Sequence, residues 1–560
     1  MNSIIEMKFA KFLALGLFLI TILVLAGPAT DPVNAPKHLL LGIISFGLLP
    51  YLFLQRNLLL SKDRLKVTLV SLSFLLFLLS STIFSSSPLT QNLYGTYGRN
   101  TGLITFIGFT LIFLTISNFS SIKSLNFIIF SFGAAGAFNI TYSLIYKFIG
   151  DPFPWNNIYN AFLGTFGNPN FSGAFCGIIL SIYLSYLLSI KSNIRFQFVL
   201  FLLVAGSAFA VFTSKTTQGI LVSGISVFIV LFIYISKVFR NKLLTASFVL
   251  SASVISIFTI LGMLQIGPFS QYVYKETVSL RGSYWTAALN AGNENVLTGI
   301  GLDTLGDWYR RARSIKAATW LPGPDVITNS AHNYYLDIYA SGGIFLLLAY
   351  FGFTVIGIIS SIKIYRKIKA FDPIASLLVA TFFSFQAQAI ISIPQIGIAV
   401  WGWAIIGMLV CYARILEEAD SKTISKLKKT NPQDLPIGVL IFVAGSIGVL
   451  VAVPPFSADT KWMSATKSQK LENVEAALKT NYFNPPNGSK YINAISLMEN
   501  NKFYVESHKY ALKAIEFNPD FYEAWRALYF ATNSTASERQ LALSNMRRLD
   551  PLNKRLEKLK

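Results

Sequence analysis

The chain carries little charge for its length. Only 13% of its 560 residues are Asp, Glu, Lys or Arg, whereas 53% are hydrophobic. The mean hydropathy of +0.53 is far above what a water-soluble protein of this size needs to fill its core. The composition therefore excludes an ordinary soluble protein and predicts a polytopic membrane protein.

Cysteine, histidine and clustered acidic residues are also scarce. Cys176 and Cys411 are the two cysteines, and both lie in apolar runs without metal-ligand spacing, so we expect two small buried side chains and no disulfide framework. The acidic residues Asp303, Asp307 and Asp325 are scattered along one polar segment. We therefore expect no cofactor and a reaction that needs no metal ion.

The net charge of +21 does not predict nucleic-acid binding, because the basic residues are spread over short loops between apolar runs. A membrane-crossing helix needs about 20 apolar residues. By that length, the sequence predicts about thirteen spans, near 10–27, 38–54, 67–84, 103–118, 126–149, 171–190, 196–213, 219–236, 243–264, 343–362, 375–393, 397–412 and 436–453. Because more spans follow at once, we expect an uncleaved first helix rather than a cleaved signal peptide.

The distribution of basic residues predicts the orientation. With the N-terminus in the cytoplasm, the predicted inner loops hold 19 Lys and Arg residues, and the short outer loops hold 3, namely Lys37, Arg99 and Lys215. This asymmetry follows the positive-inside rule. The polar segment 265–342 and the tail after residue 453 are then extracytoplasmic.

Four regions follow from this pattern. They are an N-terminal transmembrane bundle at 1–264, an extracytoplasmic loop at 265–342, further transmembrane helices at 343–455 and a helical domain at 470–555. In the last region Ala477-Leu478-Lys479 recurs as Ala511-Leu512-Lys513, an offset of 34 residues, which is the tetratricopeptide period. A partner-binding repeat domain and a simple helical cap both fit this tail.

The most informative candidate residue is a histidine just before the tenth predicted span. His332 lies in Ala331-His332-Asn333-Tyr334-Tyr335-Leu336. If residues 332–343 begin the helix, His332, Leu336, Tyr339 and Gly343 share one face. A neutral imidazole there can take a proton from an attacking hydroxyl. The alternative is a purely structural role, in which His332 only caps the helix.

Several predicted outer loops carry cations or polar side chains beside glycine. Arg99, Lys215 and Arg281 are cations in such loops, and Asn168 and Asn170 lie in a Gly-Asn-Pro-Asn turn. Converging cations suit a diphosphate ligand. Anionic lipid headgroups or plain solvation are the alternatives for each of the cations.

The motifs together resemble the O-antigen ligase and polymerase superfamily over about residues 10–412. They are Tyr-Gly-Arg-Asn-Thr-Gly at 97–102, Gly-Asn-Pro-Asn-Phe at 167–171, Thr-Ser-Lys-Thr at 213–216, Arg-Gly-Ser-Tyr-Trp at 281–285 with Gly-Ile-Gly at 299–301, and Ala-His-Asn-Tyr-Tyr-Leu at 331–336 with Gly-Gly at 342–343. Their order and their place in the topology carry the resemblance. Members with an appended tetratricopeptide tail are familiar.

The resemblance implies a GT-C-like helical enzyme of the bacterial cytoplasmic membrane. Such an enzyme moves a glycan from an undecaprenyl-diphosphate carrier to an acceptor hydroxyl on the outer face, and the acceptor is a lipid, another glycan or a protein. His332 then corresponds to the residue that activates the acceptor. Arg99, Lys215 and Arg281 correspond to diphosphate-binding residues, although many members have an arginine where this chain has Lys215.

Asn168, Asn170, Asn333 and Tyr335 are candidate contacts to the acceptor or the glycan, and the tail is a candidate site for a protein partner. Two other functions stay open. A flippase or transporter for a lipid-linked glycan would favour charged residues in mid-span and an inverted repeat, and neither is evident. A non-catalytic membrane scaffold would tolerate the loss of His332.

Overall fold

The computed structural model describes residues 3–155, 157–189, 193–420 and 436–559. Within these ranges every extended regular element is a helix, which confirms the predicted all-α fold. The first part of the chain forms α1 (Ser3–Ile22), α2 (Asn34–Phe46), α3 (Leu49–Leu54), α4 (Arg56–Leu59), α5 (Lys62–Phe84), α6 (Leu89–Tyr94), α7 (Leu103–Ser117), α8 (Ile122–Phe148), α9 (Pro169–Leu187), α10 (Ile194–Ser214), α11 (Thr217–Val238) and α12 (Lys242–Met263).

The rest of the chain adds thirteen helices to these twelve. The predicted extracytoplasmic loop forms α13 (Ser270–Val273), α14 (Glu276–Glu294), α15 (Leu305–Ala312) and α16 (Ile315–Thr319). Four long helices follow, α17 (Tyr334–Lys367), α18 (Pro373–Ile390), α19 (Ile396–Asp420) and α20 (Ile437–Ser468). The tail contains α21 (Leu471–Leu478), α22 (Gly488–Asn500), α23 (Tyr504–Phe517), α24 (Tyr522–Phe530) and α25 (Ala536–Leu549).

Eleven of the described helices, counting α2 and α3 as one, are long and apolar enough to cross a membrane. This confirms a polytopic membrane bundle. The other two predicted spans are helices as well. One is α1, which carries Glu6, Lys8 and Lys11 in its first half. The other is α7, whose 15 residues are nearly all buried among other helices.

Two of the described helices extend furthest beyond their predicted bounds. The helix predicted at 343–362 begins at Tyr334, and a non-helical Gly343 divides it into a short outer piece and a long span. The helix predicted at 436–453 continues to Ser468 through Pro454 and Pro455. At 1.5 Å per residue its 32 residues reach about 48 Å, which exceeds the hydrocarbon core of a bilayer. The last span therefore leads directly into the tail.

The membrane core is built around aromatic side chains. Trp403 on α19 is 2% exposed and contacts the rings of Phe74, Phe109 and Phe353 from three other helices, with centroid separations of 4.7–6.0 Å. Tilted and edge-on aromatic pairs of this kind contribute beyond their buried area. They fix α5, α7, α17 and α19 beneath the loops that carry the candidate residues.

The loops fall into two sets at opposite ends of the bundle, as the predicted alternation of sides requires. At one end Arg64 donates to Asn118 Oδ1 over 2.6 Å, and Lys237 donates to the Tyr365 carbonyl over 2.8 Å. These residues all lie at predicted inner positions. At the other end Arg99 donates to the carbonyl of Asn329 over 2.6 Å, which joins two predicted outer loops.

The tail consists of consecutive helices that pack in sequence, α22 on α23, α23 on α24 and α24 on α25. Its core contains Trp462 from the end of α20 together with Tyr491, Trp525 and Leu549. The tail is thus continuous with the last membrane helix. Its assignment as a tetratricopeptide array stays a prediction.

Ion pairs join the tail to the loop between α12 and α17. Arg313 Nη2 lies 2.6 Å from Asp550 Oδ1, and neither side chain is exposed. Arg310 contacts Asp550 and Glu523 at 3.2 and 2.8 Å. Because breaking a buried pair leaves an uncompensated charge, these contacts hold the tail firmly against the loop.

Candidate functional site

The candidate site lies where α14 crosses the outer piece of α17. Small residues make this close crossing feasible: Ala287, Ala288 and Ala291 on α14 are completely buried. A Cβ added to Gly292 would lie 2.5 Å from the Tyr339 ring. The predicted outer loop is therefore a packed helical structure that holds one face of α14 against the start of α17.

The Gly-Ile-Gly motif at 299–301 meets the Gly-Gly motif at 342–343 at the break in α17. Ile300 N donates to the Ala340 carbonyl over 2.9 Å, and Ile344 N donates to the Val296 carbonyl over 2.7 Å. Gly343 has φ +71°, and a Cβ on it would lie 2.4 Å from the Val296 oxygen. Only glycine fits this close backbone contact without strain. The contact ties the segment 296–301 to the helix that follows His332.

A network of hydrogen bonds fixes the turn that carries His332. Asp337 accepts from Ser330 Oγ over 2.6 Å and from Ala331 N over 2.8 Å. The backbone N–H of His332 donates to Ser330 Oγ over 3.1 Å. His332 itself has φ +52°, a left-handed conformation that costs a non-glycine residue about 1–2 kcal/mol. Such strain, held by surrounding bonds, is frequent at functional sites.

The predicted helical face containing His332 is wrong. The helix begins at Tyr334, and Asn333 is its N-cap: Asn333 Oδ1 accepts from the backbone N–H groups of Tyr335 and Leu336. His332 therefore precedes the helix and does not continue the spacing of Leu336 and Tyr339. Asparagine satisfies the free N–H groups of a helix start well, and this capping sets the boundary two residues later than the sequence pattern did.

The imidazole of His332 lies in a partly buried, cationic environment. Its ring is tilted at 31° to that of Tyr284, with 5.7 Å between centroids. Burial, followed by the positive charges of Arg281 and then Arg99, lowers the pKa of His332 to about 4. Neither imidazole nitrogen hydrogen-bonds to a described residue. The ring is thus neutral near pH 7 and free to accept a proton.

Arg281 lies on the same face of α14 as Tyr284, since the two residues are three positions apart. Its guanidinium is partly buried and has no acidic partner among the described residues. Desolvation lowers its pKa, but an arginine stays charged at physiological pH. An unpaired, partly buried cation next to a neutral histidine is an arrangement that favours an anionic ligand.

Arg99 approaches the same site from the loop before α7. Its Nη1 donates to the Asn329 carbonyl over 2.6 Å, and its Nη2 lies 3.1 Å from Asp303 Oδ1. Asp303 also accepts from Thr96 N and Thr101 Oγ1, each over 2.8 Å. Arg99 is thus held in position by partners on both sides. In the folded chain the charges of Arg99 and Arg281 both act on His332.

Lys215 lies apart from these three residues. It ends α10 with φ +55°, and its Nζ donates to the Asn160 carbonyl over 2.7 Å. It lines a separate cavity of about 590 Å³ with Lys147 and Lys275. Lys275 immediately precedes α14, six residues and about 9 Å of helical rise before Arg281.

Three of the four predicted polar contacts, Asn333, Asn168 and Tyr335, have side-chain partners within the protein. Asn333 caps α17, and Asn168 caps α9 by accepting from Asn170 N over 2.9 Å. Tyr335 points into the bundle, where its hydroxyl donates to Gln386 Oε1 over 2.5 Å. Asn170 is partly exposed on the first turn of α9. Roles for these residues in binding a glycan or an acceptor stay predictions.

The structure associates four further residues with the site or the cavity near it, and the sequence assigned none of them a partner there. Lys147 was hidden inside a predicted span, and Lys275 was not separated from the rest of its loop. Asp303 and Asp337 hold Arg99 and the His332 turn, respectively. An acidic residue close to a motif cation or histidine was the available signal, but the pairing of Asp303 with Arg99 spans 204 positions and is not visible in sequence.

Within the described ranges, no group of three His, Cys, Asp or Glu side chains is arranged to hold a metal ion. Asp303 contacts Arg99, Asp307 accepts from Gln91 and Asn518, and Asp325 contacts Arg555. The three acidic residues that the sequence left unassigned therefore serve polar contacts within the protein. Independence from metal stays a prediction.

Comparison with known families places a match on this part of the chain. The O-antigen ligase family model matches residues 200–351. That segment contains Lys215, Arg281 and His332, together with α14 and the start of α17. No curated protein matches the chain. Residues 200–351 are thus similar to the O-antigen ligase family over the segment that carries the neutral histidine and its unpaired arginine.

Proposed function

We propose that the protein is a membrane glycosyltransferase of the O-antigen ligase and polymerase type. It transfers a glycan from undecaprenyl diphosphate to an acceptor hydroxyl on the outer face of the bacterial cytoplasmic membrane. One observation carries the proposal: the neutral imidazole of His332, which makes no hydrogen bond to a described residue, is influenced by the charge of Arg281, which has no acidic partner among the described residues. The family match over the same segment supports it.

In this reaction His332 takes the proton of the acceptor hydroxyl as the oxygen attacks the anomeric carbon. The new glycosidic C–O bond forms while the bond to the diphosphate oxygen breaks, and the diphosphate leaves with the electron pair. Arg281 and Arg99 stabilise the negative charge that grows on the leaving group. A single displacement of this kind inverts the anomeric configuration.

The electrostatics of the site suit a base that works only once substrate is present. Burial, together with the charges of Arg281 and Arg99, keeps His332 neutral before binding. A bound diphosphate neutralises the arginines, so the imidazole becomes more basic and better able to hold the abstracted proton. The Lys147, Lys215 and Lys275 cavity supplies further cations for the same anionic carrier. On this proposal, neither the deprotonation of the acceptor nor the departure of the diphosphate requires a further charged residue.

The test is glycan display in a deletion strain that carries the wild type, His332→Ala or Arg281→Ala at matched membrane levels. Both variants are expected to lose the polymeric or ligated glycan while the lipid-linked precursor accumulates. His508→Ala is the matched control, since His508 lies in the tail and contacts Glu538. Wild-type display from His332→Ala would contradict the proposal.

The same experiment separates ligase from polymerase. A ligase defect leaves long chains on the lipid carrier, whereas a polymerase defect leaves single repeat units. A third outcome, loss of sugar from one or more proteins, indicates transfer to a protein hydroxyl. Accumulation of precursor on the inner face alone would instead indicate a transporter.

A further inference from the structure

A second cavity lies between the tail and the membrane domain. Its volume is about 280 Å³, and its lining comes from three distant stretches, 90–100, 306–329 and 485–523, together with Pro455. It adjoins the candidate site, because Asn329 lines the cavity and its carbonyl accepts from Arg99. The function proposed above does not use this cavity.

The lining is rich in amides and aromatic rings and poor in cations. Six amide side chains line it: Gln91, Asn100, Asn329, Asn487, Asn493 and Asn518. Tyr94 and Tyr97 contribute aromatic rings. An amide offers both donors and an acceptor, as a sugar hydroxyl does, and a ring offers an apolar face to the C–H groups of a pyranose. This lining matches the chemistry of a saccharide.

Two polar atoms in the lining lack partners. The side-chain oxygens of Asn100 and Thr90 are buried, and neither makes a hydrogen bond within the described part of the chain. Asn100 is only 4% exposed. A buried polar atom without a partner is unfavourable and uncommon in folded proteins. The wall of the cavity therefore contains two residues with unsatisfied polar atoms.

The charged residues of the lining do not suit a diphosphate. Lys490 is the one cation among the described lining residues. Burial lowers its pKa to about 8, and its ammonium lies 5.6 Å from the centre of the Tyr97 ring. Asp307 accepts from Gln91 and Asn518, and Glu523 contacts Arg310. A diphosphate needs several converging cations, so an uncharged, hydroxyl-rich ligand fits this cavity better.

We propose that this cavity binds a sugar unit of the glycan that the enzyme transfers or extends, and that the tail forms one wall of the site. The proposal rests on the function proposed above, because a glycan must be present at this face. It assigns the tail a direct part in holding saccharide beside Arg99. The transferred glycan and the accepting glycan present the same hydroxyl groups and pyranose faces to this cavity. The two arms of the experiment below distinguish between them.

A photocrosslinking experiment tests the proposal. Benzoylphenylalanine is placed at Asn493, an exposed residue of α22 that lines the cavity. The control position is Asn501, an exposed asparagine just after the other end of α22 and outside the cavity lining. The full-length protein is illuminated in membranes with extracted polyprenyl-linked saccharide in one arm and the extracted acceptor fraction in the other. Covalent glycan is detected by periodate oxidation and hydrazide labelling.

A glycan adduct at Asn493 and none at Asn501 is expected, and the arm that gives it identifies the transferred or the accepting glycan. Absence of glycan adducts at Asn493 in both arms would overturn the proposal. A peptide adduct at Asn493 would overturn it too, because the cavity would then be a protein-binding site.

Asn493→Trp provides a second readout because its side chain fills the cavity from the exposed wall. It should raise KM for the saccharide at least severalfold and leave kcat near the wild-type value, whereas Asn501→Trp should change neither. An unchanged KM in Asn493→Trp would contradict the proposal. The two proposals fail separately: if His332→Ala remains active, the proposed chemistry is wrong, but adduct formation at Asn493 still reports on saccharide binding.

Discussion

Arg313 and Asp550 form an ion pair that is completely buried between the loop before α17 and the tail, with 2.6 Å between Nη2 and Oδ1. Arg310 contacts the same carboxylate. The tail is thereby fixed to the structure that carries Arg281 and His332.

Replacing Asp550 should therefore loosen the tail. Asp550→Ala leaves the buried Arg313 without a carboxylate and leaves Arg310 with Glu523 alone, which we expect to destabilise the junction by roughly 3–5 kcal/mol. Asp325→Ala is the control, because the Asp325–Arg555 pair is largely exposed and such pairs contribute little. The stability of both variants is measured by thermal unfolding of the purified protein, monitored by tryptophan fluorescence. Equal midpoints for the two variants would contradict the expectation.

The pH dependence should reflect the cationic surroundings of His332. Because its pKa is lowered to about 4, the free enzyme keeps the neutral base as pH falls from about 7 to about 5, and kcat/KM should lose activity through this group only near pH 4. Bound diphosphate raises the pKa, so the acid limb of kcat should lie at higher pH than that of kcat/KM. If the acid limbs of kcat and kcat/KM coincided near the ordinary pKa of histidine, that result would contradict this arrangement.

Arg281→Gln extends the same test. Removing the larger of the two arginine contributions should raise the pKa of His332 and move the acid limb of kcat/KM towards higher pH, in addition to lowering the rate. Lys215→Gln serves as the comparison, because Lys215 lies at a separate cavity and does not contribute to the His332 shift. Profiles are measured from initial rates. A limb that moves equally in both variants would argue against a specific effect of Arg281.

Gly343→Ala should damage the site through the backbone. The alanine must adopt φ +71° and bring its Cβ to 2.4 Å from the Val296 oxygen, which costs at least about 1 kcal/mol before any clash. We expect lower thermal stability and lower activity together. Gly224→Ala is the control, since its Cβ meets open space within a helix. If Gly343→Ala matches Gly224→Ala in both measurements, the glycine contact is not required.

Chelation should leave the reaction intact. The proposed chemistry uses His332 as the base and Arg281 and Arg99 as the charges, so no step depends on a divalent ion. Transfer rates measured before and after extensive treatment with EDTA should agree. Loss of activity that a divalent ion restores would show that the metal-free mechanism is wrong.

Much of the fold was predictable because a membrane imposes simple rules. Length and hydropathy located the helices, and the basic residues predicted which loops lie together. The limits appear at particular residues. α7 is shorter than a standard span because it is enclosed by other helices, and α20 continues past Pro454 because it supports the tail.

The site was predictable only in part for a similar reason. His332, Arg281 and Arg99 belong to recognisable local motifs, and in the folded chain the charges of both arginines act on His332. The helix boundary at Asn333 depends on capping, which the apolar periodicity did not reveal. The Asp303–Arg99 and Asp550–Arg313 pairs connect residues that are distant in sequence, so only the folded chain shows them.

The most direct test of the account is glycan transfer by the purified protein in lipid vesicles, with extracted polyprenyl-linked saccharide as donor and the outer-surface glycolipid fraction as acceptor. The wild type should form product and release polyprenyl diphosphate. His332→Ala should bind the donor but lower kcat by at least about a hundredfold, the usual contribution of a general base. Equal kcat for His332→Ala and wild type would contradict the central claim that this imidazole activates the acceptor.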